Sequence, residues 1–169
     1  EASRHPGYWL LCGGFFVCGF HVSFIATHLP PFLTDHEMPG MLGATAIALI
    51  GLFNILGTLS SGWLGGKYRQ KHVLSLYYLA RSIVIGGFLI FPITQTSVLI
   101  FAALIGFLWL GTVPLTSGLV ARIFGPRYLG ALYGIVFFSH QIGGFLGAWL
   151  GGYVFDVTGT YDLVWIVAM

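Results

Sequence analysis

Apolar residues in this chain come in long runs separated by short polar segments. An α-helix needs about 20 apolar residues to cross a hydrocarbon core ~30 Å thick. Runs of that order cover residues 8–33, 42–65, 73–91, 98–120 and 129–155, and residues 163–169 begin another. The punctuation between them is clear. Pro30 and Pro31 predict a bend or an end to the first run. Residues 34–40 form a polar turn, Pro92 with Gln95 and Thr96 marks another, and residues 156–162 are rich in Gly and Thr. Basic loops occupy 67–71 and 122–127, the latter with Gly125 and Pro126. The pattern predicts five transmembrane helices and the start of a sixth. Seven residues at ~1.5 Å each cannot cross a bilayer. The chain therefore reads as a fragment of a larger polytopic protein, truncated within its sixth helix, with residues 1–7 as the tail of a linker. The run from Tyr8 is too long for a secretory signal, and no small-residue cleavage pattern ends it.

Composition strengthens this reading. Hydrophobic residues make up 57% of the chain and charged residues 7%, against roughly 25% charged in a soluble domain. So little charge cannot cover a water-facing surface. With alternating spans, Arg4, Lys67, Arg69, Lys71, Arg122 and Arg127 fall on one side, and Asp35, Glu37, Asp156 and Asp162 on the other. Lys and Arg beside membrane spans stay cytoplasmic, which orients the chain. Cys12 and Cys18 are six residues apart in one span, face different sides of a helix and are not expected to bond.

The 25 glycines are unevenly spread. Gly143, Gly147 and Gly151 form a small-xxx-small ridge on the fifth span, with Gly144, Ala148 and Gly152 beside it. The second span has a stripe of Gly51, Asn54, Thr58, Ser61 and Gly65. Lipid offers no hydrophobic drive for helix association, so small residues that let backbones approach supply the contact. Both helices are expected to press against others, either as ordinary bundle packing or as a rocking interface.

Polar residues at membrane depth usually face a cavity or a partner. His21 and His28 share one face of the first span, with Thr27 beside them. Asn54 lies mid-span among small residues. Trp109, Thr112 and Thr116 form one stripe on the fourth span from Ile105, interrupted by Pro114. His140 and Gln141 adjoin on the fifth span and point different ways. Arg81 lies ~13 Å past His72 along the third span, near mid-membrane. Its burial costs ~2.5–3.5 kcal/mol on insertion scales. A guanidinium there either holds an anion bidentately or pairs with carbonyls or with Tyr77 and Tyr78. No span contains Asp or Glu, so histidine is the candidate for proton exchange near neutral pH.

Intramembrane histidines also raise a haem- or metal-binding membrane protein as an alternative. His21 and His28 lie ~10 Å apart on one helix rather than at matched depth on two. No H-E-x-x-H occurs. No cofactor and no metal are expected, and no enzyme.

Several of these segments resemble a known family. The loop Gly62-Trp-Leu-Gly-Gly-Lys-Tyr-Arg-Gln-Lys71 resembles the G-x-L-a-D-r-x-G-r-[RK] signature of the major facilitator superfamily. Gly62, Leu64, Lys67, Arg69 and Lys71 match its glycine, apolar and basic positions. A glycine stands where the acid usually is, and Gln70 falls in the basic tail. Residues 143–162 resemble the family's eleventh helix and its exit turn. Residues 19–32 resemble the seventh helix of bacterial members related to monocarboxylate and oxalate–formate transporters. The resemblance implies helices seven to twelve, a six-helix half-bundle built as a 3+3 inverted repeat, all α and multi-pass. It implies a secondary transporter that moves a small organic anion such as a monocarboxylate by alternating access, or a drug or metabolite efflux transporter. The pathway would be lined by His21, Thr27, His28, Asn54, Trp109, Thr112, Thr116 and Gln141. Arg81 would be an anion contact only if its usually peripheral helix turns inward. The implied partners are the substrate, the bilayer and a missing N-terminal six-helix half, with no nucleic acid; the implied location is a bacterial inner membrane.

Overall fold

The computed structural model describes residues 2–169, apart from the side chain of Ser3. The described residues form helices α1 (Pro6–Asp35), α2 (Gly40–Lys67), α3 (Gln70–Ile90), α4 (Gln95–Phe107), α5 (Thr112–Phe124), α6 (Leu129–Thr158) and α7 (Asp162–Val167). Short 3-10 turns occupy Ala2–Arg4 and Pro126–Tyr128. Among the described residues there is no strand. Five segments are long and apolar enough to cross a membrane, and the α4–α5 pair counts as one of them. The chain is an all-α polytopic bundle.

None of the three prolines at membrane depth ends a helix. Helix α1 runs through Pro30 and Pro31 to Asp35. The missing N–H groups strip two carbonyls of partners only one turn before the helix ends. Pro30 is also pinned by α2, because a Cβ on Gly43 would come within 3.1 Å of its side chain. Pro114 does not break the fourth span. The break lies earlier, at residues 108–111, and Pro114 sits in the first turn of α5, where a missing N–H removes no helical hydrogen bond.

Local chemistry accounts for the other ends. Thr94 and Ser97 form a reciprocal capping box at the start of α4, with Ser97 N–H donating to Thr94 Oγ1 at 3.1 Å. Gly159 ends α6 in the left-handed conformation, at φ 74°.

Helix α1 lies along α6, α2 along α4, and α3 along α5. The main core joins Phe24, Leu29, Ile85, Phe101 and Ile105 to Trp165 of α7. Large apolar side chains such as Leu10, Leu59, Ile83, Phe138 and Phe145 remain exposed around the outside. A surface of that kind suits lipid.

Short connections make successive spans antiparallel, so the basic segments meet at one end and the acids at the other. His5 packs on Phe124, and Arg69 shares a cavity with Arg122. At the opposite end, burial and then the charges of Asp35 and Asp156 raise the Tyr161 hydroxyl above its ordinary range. Orientation is testable in the full-length protein on a cysteine-free background. Asp156→Cys is expected to react with an impermeant thiol reagent in intact cells, and Arg69→Cys only after the membrane is opened. Labelling of position 69 in intact cells would reverse the assignment.

Candidate functional site at the broken fourth span

The break between α4 and α5 leaves backbone groups without helical partners in the middle of an apolar span. Non-helical backbone survives at membrane depth only where protein buries it or it lines a cavity. Here three side chains hold it. Arg81, 1% exposed, donates from Nη2 to the carbonyls of Leu108 and Trp109 at 2.5 and 2.7 Å. Asn54 accepts from the N–H of Leu110 through Oδ1 at 3.1 Å, and Thr58 donates to the same oxygen at 3.4 Å. The Tyr77 ring fills the space that a side chain at Gly111 would need, and its hydroxyl donates to Gly57 O at 3.3 Å.

Around the guanidinium the structure collects further polar groups. Arg81 lies 5.6 Å over the Tyr78 ring, whose hydroxyl donates to Gly14 O at 2.7 Å. Cys18 Sγ contacts Thr112 Oγ1 at 3.3 Å. Cys18, His21 and His140 all lie within electrostatic reach of Arg81. Arg81 Nε and Nη1, His21 Nδ1 and His140 Nε2 have no oxygen or nitrogen partner, and Arg81 and His140 both face the Cys18 thiol; Thr116 Oγ1, one turn along α5 from Thr112, is also buried without a partner. A buried charge needs compensation, and the described acids Asp35, Glu37, Asp156 and Asp162 all lie at the far ends of the helices. Beside this cluster is a cavity of about 250 Å³ lined by Phe16, Val17, Phe20, His21, Leu146, Leu150 and Val167. His21 is its one polar side chain.

The expected pathway residues therefore fall into groups. Arg81, Asn54, Thr112 and the backbone of Trp109 converge on the break, and His21 joins them beside Arg81. The helical stripe through Trp109, Thr112 and Thr116 is interrupted, because residues 108–111 leave the helix. His28 lies two turns from His21 and bonds Ala148 O through Nε2 at 2.8 Å, tying α1 to α6. Thr27 is exposed. Gln141 is exposed and contacts buried His140, Oε1 to Nδ1, at 3.2 Å. Among the described residues no three His, Cys, Asp or Glu side chains converge as metal ligands would.

The glycine ridge faces α1. A Cβ at Gly143 or Gly147 would land on the carbonyl of Phe16 or Phe20, and one at Gly151 on the His28 ring. On α2 the expected stripe makes contact in part: Gly51 meets nothing, but Asn54 bonds the break, Ser61 is fully buried and a Cβ at Gly65 would fall on the Leu115 side chain, while Gly57, outside the stripe, presses on the Phe107 carbonyl. In the basic loop, Leu64 packs beside Leu115, and Lys67 lies 5.0 Å over the Trp63 ring. Cys18, Tyr78 and Gly19 also belong to the site and its support. Tyr78 is the aromatic partner expected for Arg81; sequence reasoning missed Cys18 and Gly19, because single small residues in an apolar run carry no pattern.

The family profile of the Major Facilitator Superfamily matches residues 1–168. The chain belongs to this superfamily. It is 34% identical over 161 residues to the uncharacterized MFS-type transporter YcxA of Bacillus subtilis, covering 92% of this chain and 39% of that protein. It is 25% identical over 166 residues to monocarboxylate transporter 12-B of Danio rerio, covering 96% of this chain and 35% of that protein. Over 152 residues it is 27% identical to monocarboxylate transporter 13 of Rattus norvegicus, covering 89% and 35%. The chain thus spans between a third and two fifths of these curated relatives. Family membership and five membrane-length helices make it an integral multi-pass membrane protein.

Proposed function

We propose that this chain is the C-terminal half of a secondary transporter that carries a small organic anion, a monocarboxylate, by alternating access against a second six-helix half. One arrangement supports this most. A small apolar cavity has a single polar wall group, His21, and behind it sits a guanidinium whose Nε and Nη1 have no oxygen or nitrogen partner and which faces the Cys18 thiol but no carboxylate. Apolar lining with a few converging polar groups is what small-molecule sites use. A short monocarboxylate would set its carbon chain on Phe20, Leu146 and Leu150 and its carboxylate toward His21, in the positive field of Arg81. The names of two relatives agree with this substrate class. Efflux of a larger metabolite or drug is the second reading, favoured by the apolar lining alone.

The test is binding by the purified full-length protein across short carboxylates, sugars and cationic drugs. Carboxylates are expected to bind, and His21→Ala to weaken them about tenfold, as for loss of one hydrogen bond to a charged group. Binding of a neutral or cationic ligand alone, unchanged by His21→Ala, would overturn the proposal.

A further inference from the structure

A second cavity, of about 290 Å³, opens where α3 begins and α5 ends. It is lined by Arg69, Gln70, Lys71, Leu119 and Arg122. Three of these five side chains are cations brought from two helices onto one small space. Asp35, Glu37, Asp156 and Asp162 lie at the opposite end of the bundle, so none of them neutralises the group. Gln70 forms part of the wall: its amide lies where a side chain at Gly118 would be, and its Oε1 is buried without a partner. The cavity therefore holds concentrated positive charge, with donors from Arg69, Lys71 and Arg122, and wants an anion.

Its depth says which anion. Trp63, Tyr68 and Tyr128 are exposed at this end, and the Lys67 ammonium lies over two of those rings. Aromatic side chains of this kind sit at headgroup level. The cations lie toward the membrane surface, and Leu119, about one turn deeper on α5 than Arg122, supplies an apolar wall. A free phosphate needs only the cations. A phospholipid uses both parts, with its phosphate on the cations and the glycerol end of its acyl chains on Leu119. Guanidinium forks match phosphate oxygens in pairs, and Lys adds a point charge. Basic pockets between helices on the cytoplasmic side bind lipid headgroups in this way.

We propose that this cavity is a binding site for the phosphate of an anionic phospholipid, which neutralises Arg69, Lys71 and Arg122 and ties the start of α3 to the end of α5. The inference is independent of the transported solute and stands or falls separately from it.

The experiment uses delipidated full-length protein, with phosphatidylglycerol, phosphatidylcholine and inorganic phosphate as the three probes. Bound lipid is counted by native mass spectrometry, and melting temperature is followed in parallel. Wild type is expected to retain phosphatidylglycerol in preference to phosphatidylcholine and to melt higher with it. Each lining cation is expected to contribute about tenfold in affinity, as for one hydrogen bond to a charged group, so the triple variant R69Q/K71Q/R122Q should bind about a thousandfold more weakly. The double variant R4Q/R127Q removes cations from the same end that do not line the cavity, and should lose at most the roughly fivefold per charge of diffuse attraction, clearly less per charge than the triple variant. Equal retention of phosphatidylglycerol by wild type and triple variant would overturn the proposal. So would an equal loss per charge in the double variant, which means diffuse attraction only. Wild type that prefers neither lipid would mean that a carboxylate from elsewhere in the full-length chain fills the cavity. Inorganic phosphate that displaces the lipid and raises the melting temperature as far would assign the site to free phosphate instead.

Discussion

Gly147→Leu is expected to prevent assembly of the full-length protein, whereas Gly134→Leu on the same helix leaves yield and melting temperature near wild type. Both substitutions replace the same residue type in one apolar helix and raise its helical propensity. They differ in what the new side chain meets. A Cβ at Gly134 finds nothing within 4 Å, whereas one at Gly147 falls on the backbone carbonyl of Phe20. Ordinary overpacking costs ~1–3 kcal/mol because side chains can shift. A carbonyl in the middle of α1 cannot shift without moving the helix. The two helices meet through Gly19, Gly143, Gly147 and Gly151 along the crossing. Separating them also loosens the bonds from Tyr8 Oη to Leu132 O at 2.9 Å, from Ser139 Oγ to Cys12 O at 2.8 Å and from His28 Nε2 to Ala148 O at 2.8 Å. The loss should therefore exceed the ordinary range. Size-exclusion profile and melting temperature of the purified variants check it. A Gly147→Leu protein as stable as wild type would mean that α1 and α6 do not cross as closely as they do here.

The spans were legible because lipid enforces them. Each backbone polar group must be satisfied within its own helix, so long apolar runs between polar turns leave little freedom, and the glycine ridge of α6 repeats at fixed spacing. What escaped was cross-helix. Gly19, Gly57 and Gly106 are single glycines, and each meets a carbonyl of another helix, His140, Phe107 and Ile50 in turn. None of the three has another glycine three, four or seven residues away on its helix to announce it. The break in the fourth span escaped for a related reason. Pro114 is the visible helix breaker, but the chain unwinds at residues 108–111, where the sequence reads Leu-Trp-Leu-Gly. That unwinding is stable because Arg81 and Asn54, 27 to 56 residues away, bond its backbone. The candidate site was legible as a set of polar residues at depth, and its geometry was not. Arg81 read as either an anion contact or a carbonyl partner. The structure bonds Nη2 to two carbonyls and leaves Nε and Nη1 without an oxygen or nitrogen partner.

Arg81→Met is expected to leave the overall stability of the full-length protein nearly unchanged, to free residues 108–111, and to cut transport by two orders of magnitude or more. Two opposing terms of similar size explain the first part. Removing the guanidinium leaves two buried carbonyls without a donor, each at ~1–3 kcal/mol. It also removes a charge whose place in the membrane costs ~2.5–3.5 kcal/mol. Methionine fills much of the volume, so little cavity term is added. The local effect has no such offset. Leu108 O and Trp109 O lose their donor, and the segment is held only by the hydrogen bond to Asn54 and the packing of Tyr77 on Gly111. Amide exchange across residues 108–111 should accelerate strongly, while exchange in α1 and α6 stays slow. Asn54→Leu should accelerate the same amides by freeing the N–H of Leu110. Because both side chains hold one segment, the double variant should fall short of the sum of the two, as coupled sites do. Arg81→Lys separates the two roles of the residue. It keeps the charge but offers no planar fork to two adjacent carbonyls. If the charge alone matters for the solute, Arg81→Lys transports while its 108–111 amides exchange fast. If positioning the break is what matters, Arg81→Lys loses both. Slow exchange in Arg81→Met at wild-type transport would show that the break holds its shape without Arg81.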